Sequence, residues 1–317
     1  MSTPPLTTAV GSKERFDMEP VLVPIRQDKS GLQGFIGSWI CGRDPNIIVD
    51  VGPASSVGYL LEDLAGLHLD RIDYVLLSHI HLDHAGGLAR FLDRYPMAKI
   101  VCHQKGIRHL VDPSRLWEAS LKTLGDLARS YGMARGVDEG RFIPHTRTDV
   151  PGLLVLETPG HAAHHLSYVY QGNLFVGEAA GVYYRMGELE YLRAATPAPF
   201  FMEEALNSID RLLELEDQPI CYAHIARASS SQKMLERARD QILRWKVLFE
   251  GELSRGGERI AERCMERVLE LDPEVKSFQS MKPEVQEREK YFLVNSARGF
   301  LGYLEKASGT TEKKVRR

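Results

Sequence analysis

Short apolar segments alternate with amphipathic ones along the chain, and this pattern predicts an α/β protein. Val21 to Ile25, Gly34 to Cys41 and Ile47 to Val51 are rich in β-branched or aromatic residues and are bounded by Gly, Pro, Asp or Asn, as strands are. Further strands are predicted at Asp73 to Leu77, Lys99 to Cys102, Leu153 to Glu157, Leu166 to Tyr170, Leu174 to Val176 and Pro219 to Ala223. Two sets of strands, each closed by helices, predict two sheets packed face to face with helices outside.

Helical periodicity fills the intervals between these strands. Amphipathic helices are predicted over Ser56 to Leu67, Ala85 to Tyr95, Pro113 to Met133 and Phe201 to Leu215. From Ser229 the chain becomes helical and highly charged, and the last six residues, 312–317, are predicted to be disordered. We therefore divide the chain into a flexible N-terminal arm (1–18), an α/β domain (19–228) and a C-terminal helical extension (229–317).

Composition excludes several classes of protein. Lys and Arg total 40 against 43 Asp and Glu, so the net charge of -3 argues against binding to nucleic acid, which needs a basic surface. No apolar run approaches the roughly 20 residues that span a bilayer, and the N-terminus lacks the apolar core of a secretory signal. The four cysteines are scattered, which is typical of free thiols in a reducing cytoplasm. We expect a cytoplasmic protein that binds neither nucleic acid nor a membrane.

Potential metal ligands are concentrated in the segment SHIHLDHAGG, Ser78 to Gly87. His79 and His81 follow a strand, and residues two apart on an extended backbone point to the same side, so both can bind one ion. Asp83 and His84 lie at the turn into a helix and must point elsewhere, toward a second ion. Imidazole and carboxylate ligands suit zinc, iron or manganese, and the absence of thiolates disfavours a closed structural zinc site.

Three further ligand-type residues each follow a predicted strand. His161 follows the stiff turn Thr158-Pro159-Gly160, Glu178 comes directly after the strand NLFVG, and His224 comes just past PICYA. A lone histidine at a strand end is usually structural, but together these residues supply the remaining ligands that a two-metal site requires.

In this order, the motifs resemble those of the metallo-β-lactamase superfamily, over roughly Val21 to Ala226, and the TPGH turn is similar to that of its hydroxyacylglutathione hydrolase and lactonase branches. The resemblance implies a four-layer αβ/βα sandwich of two mixed sheets with outer helices, followed here by the helical extension. It also implies that His79, His81 and His161 hold one metal, that Asp83, His84 and His224 hold the other, and that residue 178 bridges them. Asp50 matches an early aspartate of the family that supports a ligand, the alternative being a turn residue.

The sequence departs from the family at one ligand, because the bridging residue is usually aspartate and here is Glu178. Glu178 is expected to bridge, to bind one metal only, or to leave the second site weak. His165 is interpreted as a histidine packed beneath the site, with a substrate contact as the alternative. Tyr183, Tyr184 and Arg193 are candidate substrate contacts in a loop-like segment, with aromatic packing as the alternative.

The leading hypothesis is a hydrolase that cleaves an ester, thioester or lactone bond of a small molecule through a hydroxide shared by two divalent ions. Zinc is the first choice, with iron or manganese as alternatives, and Asp83 passes a proton to the leaving group. A mononuclear iron dioxygenase acting on a persulfide is the main alternative, and a nucleic-acid-processing hydrolase is less favoured. The C-terminal helices are expected either to cover the substrate pocket or to form a homodimer contact.

Overall fold

The two predicted sets of strands form two separate sheets in the computed structural model, which describes residues 19–42, 44–307 and 309. The arm predicted for residues 1–18 and the disordered tail predicted for 312–317 lie outside these described residues.

Six strands make the first sheet. They are β1 (Val21–Pro24), β2 (Gly37–Cys41), β3 (Ile47–Val49), β4 (Tyr74–Leu76), β5 (Lys99–Cys102) and β6 (Phe142–Pro144), in that order across the sheet. The first three strands pair antiparallel, whereas β3, β4, β5 and β6 run parallel. The carboxyl ends of β3 and β4 therefore lie side by side, just before Asp50 and the histidine-rich segment.

The second sheet contains five strands. These are β7 (Leu154–Glu157), β8 (Leu166–Tyr170), β9 (Asn173–Gly177), β12 (Ile220–Tyr222) and β13 (Ala226–Ala228), in the order β13-β12-β9-β8-β7. β9 and β12 are parallel, and the other pairs are antiparallel. Because β9 and β12 end at the same edge, the residues that follow them, Glu178 and His224, are brought close together. Between them, β10 (Val182–Met186) and β11 (Leu189–Arg193) form a separate antiparallel hairpin.

Alternate side chains of the strands belong to two different apolar clusters. On β3, Ile47 and Val49 join an apolar cluster between the two sheets, whereas Ile48 joins the larger cluster that packs against helices. On β9, Phe175 likewise faces the other sheet while Leu174 faces the helices. Successive side chains of a strand point to opposite faces, so both sheets are covered on both faces. The molecule is thus the predicted αβ/βα sandwich of two mixed sheets, with a helical C-terminus.

Ten α-helices surround the sheets in the described residues. They are α1 (Val57–Gly66), α2 (Leu82–Ala85), α3 (Leu88–Arg94), α4 (Gln104–Val111), α5 (Ser114–Leu124), α6 (Asp126–Tyr131), α7 (Met202–Leu213), α8 (Ser231–Arg255), α9 (Ile260–Leu271) and α10 (Pro283–Ala307). None of the helices in this part of the chain is long and apolar enough to cross a membrane.

Three local predictions were wrong. The helix predicted from Ala85 is divided into α2 and α3, because the chain packs tightly at Gly86 and Gly87: a Cβ at Gly87 would lie 2.7 Å from Val57 Cβ. The helix predicted from Pro113 is divided into α5 and α6 at Gly125, whose φ is 54°. The segment that contains Tyr183 and Tyr184 is not a loop but the β10–β11 hairpin.

The C-terminal helices share the main core with the sandwich. Trp245 on α8 and Phe300 on α10 belong to the same apolar cluster as Leu174 and Ile220 of the second sheet. Close packing reaches the backbone, because a Cβ at Gly299 would lie 2.1 Å from the carbonyl oxygen of Thr196. The division of the chain near residue 228 and the homodimer contact both stay predictions.

Candidate metal centre

The seven predicted ligands converge where the edges of the two sheets meet. They fall into two groups, and within each group the ligand atoms lie within 4.8 Å of one another. The first group is His79, His81, His161 and Glu178, and the second is Asp83, His84 and His224. β4 delivers the histidine-rich segment, the turn before β8 delivers His161, and the ends of β9 and β12 deliver Glu178 and His224.

In the first group, nitrogen atoms with unshared electron pairs face one another. His161 Nδ1 lies 3.2 Å from the carbonyl oxygen of Ala195, an acceptor only, so this nitrogen carries the hydrogen and Nε2 does not. Ser78 donates its hydroxyl hydrogen to Asp50, so its oxygen accepts from His79 Nδ1. The free Nε2 atoms of His79 and His161 then lie 2.9 and 3.1 Å from His81 Nδ1. When His81 carries its hydrogen on Nε2, the three facing nitrogens offer three electron pairs to one cation.

In the second group, hydrogen bonds likewise fix the Nδ1 atoms of the two histidines. His84 Nδ1 donates to Asp50 Oδ2 at 2.9 Å, and His224 Nδ1 donates to the carbonyl oxygen of Phe35 at 3.1 Å. His84 Nε2 is buried without a hydrogen-bond partner, 3.6 Å from Asp83 Oδ2. Buried polar atoms normally have a hydrogen-bond partner. A bound metal ion would supply the partner that this nitrogen lacks. Metal-binding histidines commonly donate their other ring hydrogen to a carboxylate or carbonyl, as here.

Glu178 contacts both groups. Its Oε2 lies 3.0 Å from His161 Nε2 and 3.4 Å from His84 Nε2, and its Oε1 lies 3.4 Å from His224 Nε2. The backbone N–H of Glu178 donates to His165 Nε2 at 3.0 Å. His165 is fully buried beneath the centre, and its Nδ1 donates to the hydroxyl of Thr158. The structure therefore places His165 where it holds Glu178 in position.

Burial controls the charge of these imidazoles. It lowers the pKa of His79 and His81 well below the usual value, and the positive charge that their histidine neighbours acquire on protonation adds to the effect. Both rings are therefore neutral, as metal ligands must be. Burial also lowers the pKa of His84, but the carboxylates of Asp83 and Asp50 outweigh this and raise it well above the usual value. The carboxylates around His84 therefore favour a positive charge, and a bound metal cation would supply one.

A third group of ligand-type residues, His103, His145 and Glu157, lies outside this centre. The backbone N–H groups of Lys105 and Gln104 donate to Nδ1 of His103 and His145, respectively. In the neutral rings the hydrogen is therefore on Nε2, and His145 Nε2 donates to Glu157 Oε1 at 2.8 Å. With Nδ1 accepting and Nε2 protonated, these rings have no electron pair left for a cation, and we interpret the group as structural.

The predicted substrate contacts lie mostly away from the centre. The hydroxyl of Tyr183 donates to Glu190, and that of Tyr184 donates to Glu289. Neither tyrosine lines the cavity beside the metal centre. Arg193 lines this cavity, but its guanidinium already pairs with Glu289 at 2.8 Å. Aromatic and ionic packing therefore accounts for what these three residues do in the structure.

The sequence reasoning missed Tyr131, at the end of α6. Its side chain is 1% exposed, lines the same cavity as Asp83, and has a hydroxyl without a hydrogen-bond partner. Burial, followed by the carboxylates of Asp83 and Glu178, raises its pKa well above the usual value, so the hydroxyl keeps its hydrogen. Tyr131 is thus an available donor beside the centre. The pattern around it indicated only an amphipathic helix, and nothing in the sequence pointed to this role.

The αβ/βα sandwich carries buried imidazoles and carboxylates at its edge, which is the ligand chemistry of a metal-dependent enzyme. The family model described as the Metallo-beta-lactamase superfamily matches residues 37–224. The chain belongs to this superfamily and is a metallo-hydrolase.

Relatives and solved structures agree with this assignment. The chain is 29% identical over 213 residues to the metallo-beta-lactamase fold-containing protein ST1585 of Sulfurisphaera tokodaii, covering 64% of this chain and 77% of that protein. It is also 29% identical over 176 residues to a hydroxyacylglutathione hydrolase of Aeromonas salmonicida, covering 56% of this chain and 55% of the hydrolase. The chain spans about half the length of the hydroxyacylglutathione hydrolases that it matches.

Two solved structures share the fold over nearly the whole chain. The crystal structure of ST1585 from Sulfolobus tokodaii superimposes with a TM-score of 0.65 at 23% identity, covering 89% of this chain and 98% of that one. The structure of the metallo-beta-lactamase family protein TTHA1429 from Thermus thermophilus gives a TM-score of 0.61 at 21% identity, covering 91% and 94%.

Proposed function

We propose that this enzyme hydrolyses an ester, thioester or lactone bond of a small molecule with the help of two divalent metal ions. Zinc is the first choice, and iron or manganese would suit the same imidazole and carboxylate ligands. The observation that carries the proposal is the position of Glu178, whose two carboxylate oxygens face histidines of both ligand groups.

His79, His81 and His161 would hold one ion, and Asp83, His84 and His224 the other, with Glu178 between them. Such ions, when bound, polarise a carbonyl group and lower the pKa of a coordinated water to about 7. The fit rests on the facing nitrogens of the first group and on the unpartnered His84 Nε2 of the second.

The chain's own residues supply the proton transfer and part of the substrate binding. Asp83 lines the cavity with its carboxylate beside the centre, where it would carry a proton to the leaving group. Tyr131 would donate its hydroxyl hydrogen to the carbonyl oxygen of the substrate, because this donor has no partner within the protein.

Metal analysis tests the proposal. The full chain, loaded in turn with zinc, iron and manganese and then freed of excess metal, is expected to retain two ions and to hydrolyse members of an ester, thioester and lactone panel. His224→Ala should retain fewer ions, because it removes a ligand of the second group only. His145→Asn, in the structural group, is the matched control and should retain two. A chain that retains no metal and hydrolyses none of the panel would contradict the proposal.

The same samples address the iron dioxygenase alternative. Oxygen uptake with a glutathione persulfide, together with retention of a single iron, would favour it. The convergence of all three ligands of the second group supports the hydrolase instead.

A further inference from the structure

The metal centre opens into one cavity of about 440 Å³. Asp83, His161, Glu178 and His224 form its inner end, so a molecule in the cavity is in contact with the centre. This volume is in the range of sites that bind small molecules, roughly 300–1,000 Å³. The wall of this cavity therefore indicates what kind of substrate the centre receives.

Apolar side chains from several elements form that wall. Phe35 packs against the ring of His224, with 4.2 Å between centroids, and stacks on Phe292 of α10 at 5.2 Å. Leu116 and Leu124 of α5 and the exposed Phe201 also line the cavity. The lining therefore combines metal ligands with apolar side chains, one of which reaches the surface.

α5 contributes an apolar face that the protein itself does not fully cover. All of Ser114–Leu124 is described by the structure, and no residue in this helix is buried. Leu116 and Leu124 are only partly buried, and Ala119, which also lines the cavity, is exposed. A helix without buried residues gains little from packing, and an apolar molecule in the cavity would complete the burial of its face.

Charged groups on the wall are few. Besides Asp83 and Glu178 of the centre, the lining contains Arg115 and Glu204, both exposed, and Arg193, which is neutralised by Glu289. Glutathione carries two carboxylates, and binding them would need positively charged partners that this wall supplies only at Arg115. The wall does not suit a glutathione thioester.

We propose that the substrate carries an apolar acyl chain, which lies in this cavity against α5 and α10 while its ester, thioester or lactone group meets the metal centre. This rests on the proposed hydrolase function and specifies its substrate class. The cavity then selects substrates by the length of their apolar chain.

A chain-length series tests the substrate class on the full, metal-loaded protein. With 4-nitrophenyl esters from acetyl to decanoyl, kcat/KM should rise about fourfold for each added methylene until the cavity is full. S-lactoylglutathione should be a poor substrate. In Ala119→Phe, which fills part of the cavity, the optimum should move to shorter chains, with the ratio of octanoyl to acetyl turnover falling about tenfold. Ala65→Phe, on the exposed surface of α1, is the matched control.

A binding measurement separates this inference from the proposed function. Primary alcohols from ethanol to decanol, which carry no charge to be repelled by Asp83 and Glu178, should raise the melting temperature of the metal-free chain progressively with length, and less so in Ala119→Phe. Hydrolysis with a flat chain-length profile, or with a preference for S-lactoylglutathione, would overturn the apolar substrate class and leave the hydrolase in place. Absence of all ester hydrolysis would refute the function instead, and the melting series would still decide whether the cavity binds apolar chains.

Discussion

Asp50 is a buried carboxylate that accepts a hydrogen bond from His84, one of the predicted metal ligands. It is held at a φ of 57° and accepts from the backbone N–H of Ser78, the hydroxyl of Ser78 and His84 Nδ1. These bonds fix the hydrogen of His84 on Nδ1 and leave Nε2 free. The family resemblance predicted a supporting role for Asp50, and this role stays a prediction that a substitution tests.

Asp50→Asn should therefore weaken metal binding without disturbing the backbone, because asparagine also tolerates a positive φ. An amide offers one acceptor oxygen where the carboxylate offers two, so His84 loses its fixed orientation. Loss of such a supporting group typically costs about 10–100-fold in metal affinity. Titration against a chelating dye measures this, with Asp70→Asn, at an exposed position, as the control. Unchanged affinity would show that Asp50 is a turn residue only.

Tyr131→Phe separates a substrate contact from a structural role. Its hydroxyl has no partner to lose, so the melting temperature should stay the same or rise. If the hydroxyl stabilises the developing oxyanion, kcat should fall by about 10²-fold with little change in KM. Steady-state kinetics and thermal melts on the same samples test both expectations. A destabilised variant with normal kcat would assign Tyr131 to packing.

At the scale of elements, the strands were more predictable than the helix boundaries. Short β-branched segments such as Lys99–Cys102 are flanked by turn residues, and burial on both faces leaves a strong local pattern. Helical periodicity, in contrast, continues through Gly125, and the break there depends on how α5 and α6 pack. β10 and β11 were missed because Tyr183 and Arg193 were interpreted as loop residues. The two strands instead pair in an antiparallel hairpin, in which Tyr183 lies opposite Leu192 and Arg193 opposite Val182.

The candidate site also contains residues that the sequence predicted and contacts that it did not. His161, Glu178 and His224 each follow a strand, so topology brought them together as the sequence order suggested. The carbonyl oxygens of Ala195 and Phe35 and the hydroxyl of Tyr131 carry no sequence signal, because any residue has a carbonyl and many helices contain tyrosine.

The buried pair of Arg193 and Glu289 joins β11 to α10. Glu289→Gln leaves the Arg193 guanidinium buried without a countercharge, which should lower the free energy of unfolding by about 3–5 kcal/mol. Glu287→Gln, exposed on the same helix, is the control and should change it little. Urea unfolding at neutral pH measures the difference. An equal, small effect of both substitutions would show that the pair does not stabilise the fold.

The same pair predicts a pH dependence. Burial raises the pKa of Glu289, but Arg193 and Arg288 outweigh this and hold it below the ordinary value of 4.5. The folded state therefore binds this proton less readily than the unfolded state. The stability that Glu289 contributes is complete above pH 4.5 and is lost as the pH falls through the lowered pKa. The difference between wild type and Glu289→Gln should accordingly shrink in acid.

At the scale of the whole molecule, the C-terminal helices serve both the core and the cavity. Phe292, Asn295 and Ser296 of α10 line the cavity. Covering the pocket and forming a homodimer contact both stay predictions for the C-terminal helices. The next turns of α10 bury Ala297 and Phe300 in the main core. One helix thus links substrate binding to the stability of the sandwich.

A chain that ends at residue 282 tests whether the extension is separable. Removing α10 takes Leu293, Phe300 and Leu304 from the core, at roughly 1.5–3 kcal/mol each, and removes Ala297 and the Glu289 pair as well. The sum approaches the whole net stability of a typical domain, about 5–15 kcal/mol. We therefore expect the shortened chain to lose cooperative thermal unfolding, measured by circular dichroism, whereas a chain that ends at residue 309 keeps it. A shortened chain that unfolds cooperatively and still binds metal would instead show that the fold forms without α10 and that α10 is an accessory wall of the cavity.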